Sequence, residues 1–266
     1  MLLETGVPLT ACLEALCLSE PTLIHSIHEQ YLHAGARVIE TNSFGANAVR
    51  LERFGLGDRV AEINRAAAAL ARRAVEGTNA VVAGSVGPLG ISAKEARQRG
   101  IDRADCFREQ ITALLDAGVE LLCFETFTDL DELLLAVKST TEISSAVAVC
   151  SVVCDATAQL QCGTAFSRAV ANLREVGAQI IGVNCVGGAE IIRLLEATPK
   201  GDVLAAYPSA GRPRLRSGRF VYDVTPRELA EVSRRMIGRG VRLIGGCCGT
   251  TPDHVRAVAD AIRRSA

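Results

Sequence analysis

Cys247 and Cys248 stand side by side in Gly245-Gly246-Cys247-Cys248-Gly249-Thr250, flanked by small residues where a packing role would be filled as well by valine. Neighbouring cysteines rarely bond to each other, because the eight-membered ring they close lies outside ordinary disulfide geometry. Both thiolates can, however, reach one metal ion. A soft thiolate pair suits zinc, and zinc takes a third protein ligand when it keeps one position open for substrate. That third ligand has to arrive from another part of the chain.

The elements that must bring it there alternate between short Val/Ile/Leu-rich runs and longer helical patterns. Helices are expected over 21–34, 60–75, 102–117, 130–139, 166–176, 189–197, 225–237 and 252–264, and strands over 37–40, 80–86, 120–125, 146–153, 179–183, 203–206 and 241–244. Pro21 lies in the first turn of the first helix and Gly35 ends it, while Thr225-Pro226-Arg227-Glu228 combines a cap, a first-turn proline and an N3 glutamate. Thr128 with Asp131 reads as a capping box for the 130–139 helix. Eight helices against seven strands, with a helix first, predict an α/β fold of the TIM (β/α)8 barrel type whose first strand is missing. A seven-stranded open sheet is the plainer alternative. No linker or internal repeat divides the chain, so residues 1–266 are expected to form one domain.

In parallel α/β folds ligands collect where strands end and helices begin. Those positions read Glu40-Thr41-Asn42, Gly84-Ser85-Val86-Gly87-Pro88, Glu125-Thr126-Phe127, Asn184-Cys185, Tyr207-Pro208 and Cys247-Cys248. Cys185 therefore shares a barrel mouth with the cysteine pair, giving three thiolates. Alone, Cys185 would read as a small buried hydrophobe; in combination, with Gly187-Gly188 and Gly245-Gly246 letting backbone approach a ligand, the three read as metal ligands. Thr41, Asn42 and Ser85 either line the mouth or satisfy loop backbone. His25, His28, His33 and His254 fall in helical patterns and are expected to be structural or exposed.

Composition limits the partners. With 29 basic and 30 acidic residues the formal charge is -1, which offers no electrostatic case for nucleic acid or an anionic membrane surface. No apolar run approaches the roughly 20 residues of a membrane span, and the N-terminus lacks a basic n-region and apolar h-region. The protein is expected in the cytoplasm, where most of its 10 cysteines would be reduced thiols. Hydrophobic residues are 48% and aromatics 4%, so the core has to be built from Ala, Val, Leu and Ile, as buried parallel strands prefer.

Gly182-Val183-Asn184-Cys185 with Gly245-Gly246-Cys247-Cys248-Gly249-Thr250 resembles the zinc signature of the homocysteine S-methyltransferase family, which includes betaine-homocysteine methyltransferase and the homocysteine module of cobalamin-dependent methionine synthase. Ile39-Glu40-Thr41-Asn42-Ser43-Phe44, Gly84-Ser85-Val86-Gly87-Pro88, Phe124-Glu125-Thr126 and Phe220-Val221-Tyr222-Asp223 extend the likeness over nearly the whole chain. The resemblance implies Zn2+ held by Cys185, Cys247 and Cys248, homocysteine sulfur at the open position, and Glu125 on the homocysteine amino group. It implies methyl transfer to that sulfur, forming methionine. The donor is open: a small methyl donor, or a methyl group brought by a separate cobalamin or folate module.

Two features depart from the family. Relatives begin with a strand carrying Asp-Gly-Ala-Met-Gly-Thr or a close variant, and Met1-Leu2-Leu3-Glu4-Thr5-Gly6 looks like its continuation, in keeping with the missing strand. Ser209 stands where relatives commonly have Asn. The alternatives are thus an N-terminally truncated, non-catalytic zinc-binding relative, or a redox or structural role for the cysteines. Arg212, Arg214, Arg216 and Arg219 form a basic loop, either solvated or in contact with an anionic folate or partner module.

Overall fold

A computed structural model describes residues 1–8, 10–155, 157–216 and 219–265. The strands are β1 (Val38–Glu40), β2 (Val81–Val86), β3 (Leu121–Phe127), β4 (Val147–Val152), β5 (Ile180–Gly187), β6 (Ala205–Ser209), β7 (Arg214–Arg216), β8 (Arg219–Val221) and β9 (Leu243–Ile244). The helices are α1 (Leu16–Ser19), α2 (Pro21–His33), α3 (Ala48–Leu51), α4 (Val60–Val75), α5 (Ala93–Gln98), α6 (Arg103–Asp116), α7 (Leu130–Thr141), α8 (Phe166–Glu175), α9 (Gly188–Ala197), α10 (Pro226–Gly238) and α11 (Pro252–Arg263).

Seven strands make one parallel sheet in the order β1-β2-β3-β4-β5-β6-β9, each joined to the next by a helical crossover, as the βα alternation requires. One apolar cluster on the inner face links Val38 of β1 through Ala83, Cys123, Val149, Ala205 and Tyr207 to Leu243 of β9, so the sheet curls until its first and last strands share a core. The turn after α2 confirms the proximity: a Cβ on Gly35 would lie 3.0 Å from Ala259 of α11. Among the described residues, β1 and β9 are not paired with each other.

A larger apolar layer fills the space between the outer face of the sheet and the helices, with Phe107, Phe124, Phe127 and Phe166 as its largest fully buried side chains. Helix starts follow the sequence signals. Thr225 and Glu228 form the expected capping box of α10. For α7 the cap is Asp129 and not Thr128: its carboxylate accepts from the backbone N–H of Asp131 and Glu132, and being charged it suits the N-terminal dipole better than a threonine. The basic loop proves to be the β7–β8 hairpin, in which Arg214 pairs with Asp223 at 3.1 Å; the side chains of Arg216 and Arg219 lie outside the described residues. Among the described residues no helix is long and apolar enough to cross a membrane.

Candidate metal centre and substrate mouth

Two strand ends are bent out of register, and both carry residues of the site. β5 pairs with β6 as far as Asn184↔Tyr207 and resumes at Gly187↔Ser209, leaving Cys185 and Val186 in an irregularity. β3 slips against β4 between Phe124 and Phe127, across Glu125 and Thr126. Cys185 has φ 61 and Thr126 φ 64, left-handed conformations that cost a non-glycine residue and persist only where the surroundings enforce them. Asn184 enforces both. It is fully buried, accepts from the Thr126 N–H at 3.0 Å and donates to Thr126 Oγ1 at 2.8 Å, tying the two distorted strand ends together. Irregularities of this kind re-aim the side chains they carry.

The cysteine pair is fixed from the other side. Cys247 N–H donates to Pro208 O at 2.9 Å, Ala210 N–H donates to Cys248 O at 2.8 Å, and Thr250 Oγ1 donates to Cys247 O at 2.7 Å. Tyr31 of α2 closes the loop by donating to Thr250 O at 2.9 Å. Gly249 needs its freedom: it has φ 78, and a Cβ there would stand 2.2 Å from the Tyr222 ring, which lies directly on its backbone.

These restraints bring the three sulfurs within 4.8 Å of one another, with Cys185–Cys248 and Cys247–Cys248 each at 4.0 Å. Tetrahedral zinc with bonds of about 2.3 Å spaces its sulfurs about 3.8 Å apart, so the thiol set fits the ion with only small adjustments. It is the one such cluster of His, Cys, Asp and Glu side chains among the described residues. Hydrogen bonds from Cys185 and then Cys247 hold the Cys248 thiol far below its ordinary range, while Cys247, bonded to Cys185 and Cys248 and buried, is pushed far up. Ser209 stands at the end of β6, opposite Gly187 and beside Cys185.

Ser85 and Glu125 meet at the mouth, with Ser85 Oγ donating to Glu125 Oε1 at 2.5 Å. Burial, then the charge of Glu40, pushes the Glu125 carboxyl well above the usual carboxylate range, opposed by Ser85; Cys248 also raises it. Burial likewise raises Glu40, opposed by hydrogen bonds with Cys123 and Glu125. By exposed surface both glutamates are half-buried, so protein rings them without sealing them from the mouth. Thr41 and Asn42 are engaged elsewhere. Thr41 Oγ1 contacts Ser43 Oγ at 2.5 Å and accepts from Ser85 N–H, stitching β1 to β2, and Asn42 Nδ2 donates to Leu13 O at 2.7 Å, anchoring the segment before α1. His254 caps α11 and bonds Val224 O at 2.8 Å, away from the sulfurs.

Four residues of the site carry no recognised role in the linear pattern: Glu40, Asn184, Ser209 and Tyr222. The alternation along β1 was a usable signal for Glu40, since it points Glu40 the same way as Val38. Tyr222 becomes a neighbour of the cysteines only through the hairpin that precedes it.

The sequence pattern of the family described as homocysteine S-methyltransferase matches residues 3–262. Methionine synthases of Mycobacterium leprae and Mycobacterium tuberculosis are each 32% identical over 96% of this chain, which spans 22% of their length. The homocysteine methyltransferase MmuM of Escherichia coli, in its metallated form, superposes with TM-score 0.79 at 28% identity, covering 97% of this chain and 92% of that one. On a match that runs almost from end to end and takes in all three cysteines, the chain belongs to the homocysteine S-methyltransferase family.

Proposed function

We propose that this chain transfers a methyl group to the thiol of homocysteine, forming methionine, at a zinc ion held by Cys185, Cys247 and Cys248. The observation that carries the reading is the convergence of three sulfurs at zinc spacing beside a carboxylate-lined mouth. Zinc bound there would keep a substrate thiol deprotonated near neutral pH, where a free thiol of pKa about 8.5 is mostly protonated.

The chain's own residues do the rest. Asn184, through its bonds to Thr126, holds the strand end that carries Cys185 in its left-handed pose, an outer support that fixes ligand orientation. Glu125, steadied by Ser85, takes the substrate ammonium and so sets the distance from amino group to sulfur. Thr41 holds Ser85 in place through its backbone, and Asn42 shapes the rim by fixing the approach to α1. Tyr222 covers Gly249, next to the cysteine pair, and so holds the loop that carries it. Because the site needs free thiols, it belongs in a reducing compartment such as the cytoplasm.

The methyl donor reaches the same mouth, as a small molecule or on a separate cobalamin or folate module. The test is methionine formation from homocysteine by zinc-loaded protein with betaine, S-methylmethionine, S-adenosylmethionine and methylcobalamin in turn. Turnover with one of them is the expected result, and its identity separates the donor classes. Failure with all four would defeat the proposal.

A further inference from the structure

Along β1, β2 and β3 alternate residues share the concave face, so Val38 and Glu40 point inward together, as do Ala83 and Ser85, and Cys123 and Glu125. Val38, Ala83 and Cys123 belong to the apolar inner layer. The register is stepped, with Glu40 opposite Ala83 and Ser85 opposite Cys123, and the residue two places further along each of the three strands, Glu40, Ser85 and Glu125, is polar and lies on the mouth side of those apolar residues.

Ser85 Oγ donates to Glu125 Oε1 at 2.5 Å, and the Glu40 and Glu125 carboxyl groups lie near enough for each to act on the other's ionisation. Cys123, Ser85, Tyr207 and Cys248 lie around them, and among the described residues no Lys, Arg or His forms an ion pair with either one. Two half-buried carboxyl groups side by side without a cation cannot both ionise without repulsion, which is unfavourable to the folded chain. Such an arrangement makes sense when the cation comes with the ligand. A primary ammonium has three N–H donors to place, and Ser85 already occupies Oε1 of Glu125. Glu125 alone therefore leaves the ammonium short of acceptors, and Glu40 supplies them.

We propose that Glu40 is a second ammonium-binding residue, forming with Glu125 a dicarboxylate clamp that restricts the site to thiols bearing a free α-ammonium group. The inference rests on the homocysteine reading above. A site built to pair a buried charge rejects an analogue lacking the partner far more strongly than it rejects a change in apolar bulk.

The test is calorimetric binding of L-homocysteine and of 4-mercaptobutanoate, which keeps thiol and carboxylate but lacks the ammonium, to zinc-loaded wild type, Glu40→Gln and Glu40→Asp. Wild type should bind homocysteine at least about tenfold more tightly than the analogue. Glu40→Gln should weaken homocysteine about ten- to a hundredfold, the range for a hydrogen bond to a charged group, and leave the analogue within about twofold. Glu40→Asp should recover part of the loss. The unliganded Glu40→Gln protein should melt no lower than wild type, since a source of like-charge repulsion beside Glu125 has been removed, which separates a binding defect from a folding defect. Homocysteine binding within twofold of wild type in Glu40→Gln, or equal weakening of both thiols, overturns the clamp while leaving the homocysteine reading intact. Wild-type protein that binds neither thiol overturns both.

Discussion

Replacing Asn184 with alanine should damage the metal centre without touching a metal ligand. Asn184 is fully buried and makes two hydrogen bonds to Thr126, at 3.0 and 2.8 Å. Its loss leaves a part-buried N–H and hydroxyl of Thr126 unpaired, for about 1 to 3 kcal/mol of stability in total. It also frees the two left-handed residues, Thr126 and Cys185, to relax toward ordinary backbone, which moves the Cys185 sulfur off the cluster. Loss of such an outer support typically costs 10- to 100-fold in metal affinity. The assay pairs urea unfolding with competitive zinc titration, and Asn64→Ala is the control. Asn64 is equally buried and bonds Ala46 O and Val60 O at 2.7 and 2.8 Å, away from the cysteines, so it should lose comparable stability and no zinc affinity. Zinc affinity within twofold of wild type in Asn184→Ala, or an equal loss in Asn64→Ala, would refute the coupling.

Purified Cys185→Ser should lose most of the roughly one zinc per chain expected by metal analysis, whereas Cys162→Ser, at an exposed position outside the cluster, should keep it. Gly249→Ala adds a Cβ 2.2 Å from the Tyr222 ring at φ 78 and should cost at least about 1 to 2 kcal/mol in denaturant unfolding; an unchanged midpoint would show that Tyr222 does not sit there. Because Glu40 and Glu125 have raised carboxyl pKa values when folded, the native state binds more protons than the unfolded one, and stability falls as pH rises from the ordinary carboxyl range through the raised values. Glu125→Gln should flatten that slope in urea midpoints measured across pH. His28 is the opposite case: burial, then His25, lowers it to about 4, so the stability it contributes is complete above its unfolded pKa of about 6.5 and is lost toward pH 4, by about 3 kcal/mol. His28→Leu should remove that acid limb.

The alternation of strands and helices was readable because long amphipathic helices with caps and short apolar runs carry distinct periods. Short elements were harder. Ser92 to Glu95 spells a capping box that opens α5, yet a six-residue helix has too little periodicity to announce itself. The hairpin of β7 and β8 reads as a charged loop because three-residue strands with exposed Leu215 and Phe220 show no inward face. Ends of strands shifted for a related reason: β3 and β5 run on past Glu125 and Val183 through irregular residues that no alternation rule describes. Those same irregularities set the aim of Cys185 and Glu125.

Within the site, residue type was enough to single out the cysteines, since three thiols at strand ends have few other uses. Supporting residues were opaque because their roles depend on contacts across the sheet. Asn184 acts on a residue 58 positions away, and Glu40 meets Glu125 only after β2 has been laid between them.

Zinc dependence is read by following methionine formation from homocysteine in one preparation taken through three states: zinc-loaded, chelator-stripped and zinc-restored, with the donor that supports turnover. A methyl transfer at zinc held by the three cysteines requires activity in the first state, its loss in the second and its return in the third, and none of these in Cys185→Ser. Methionine formation that survives complete removal of zinc would contradict it.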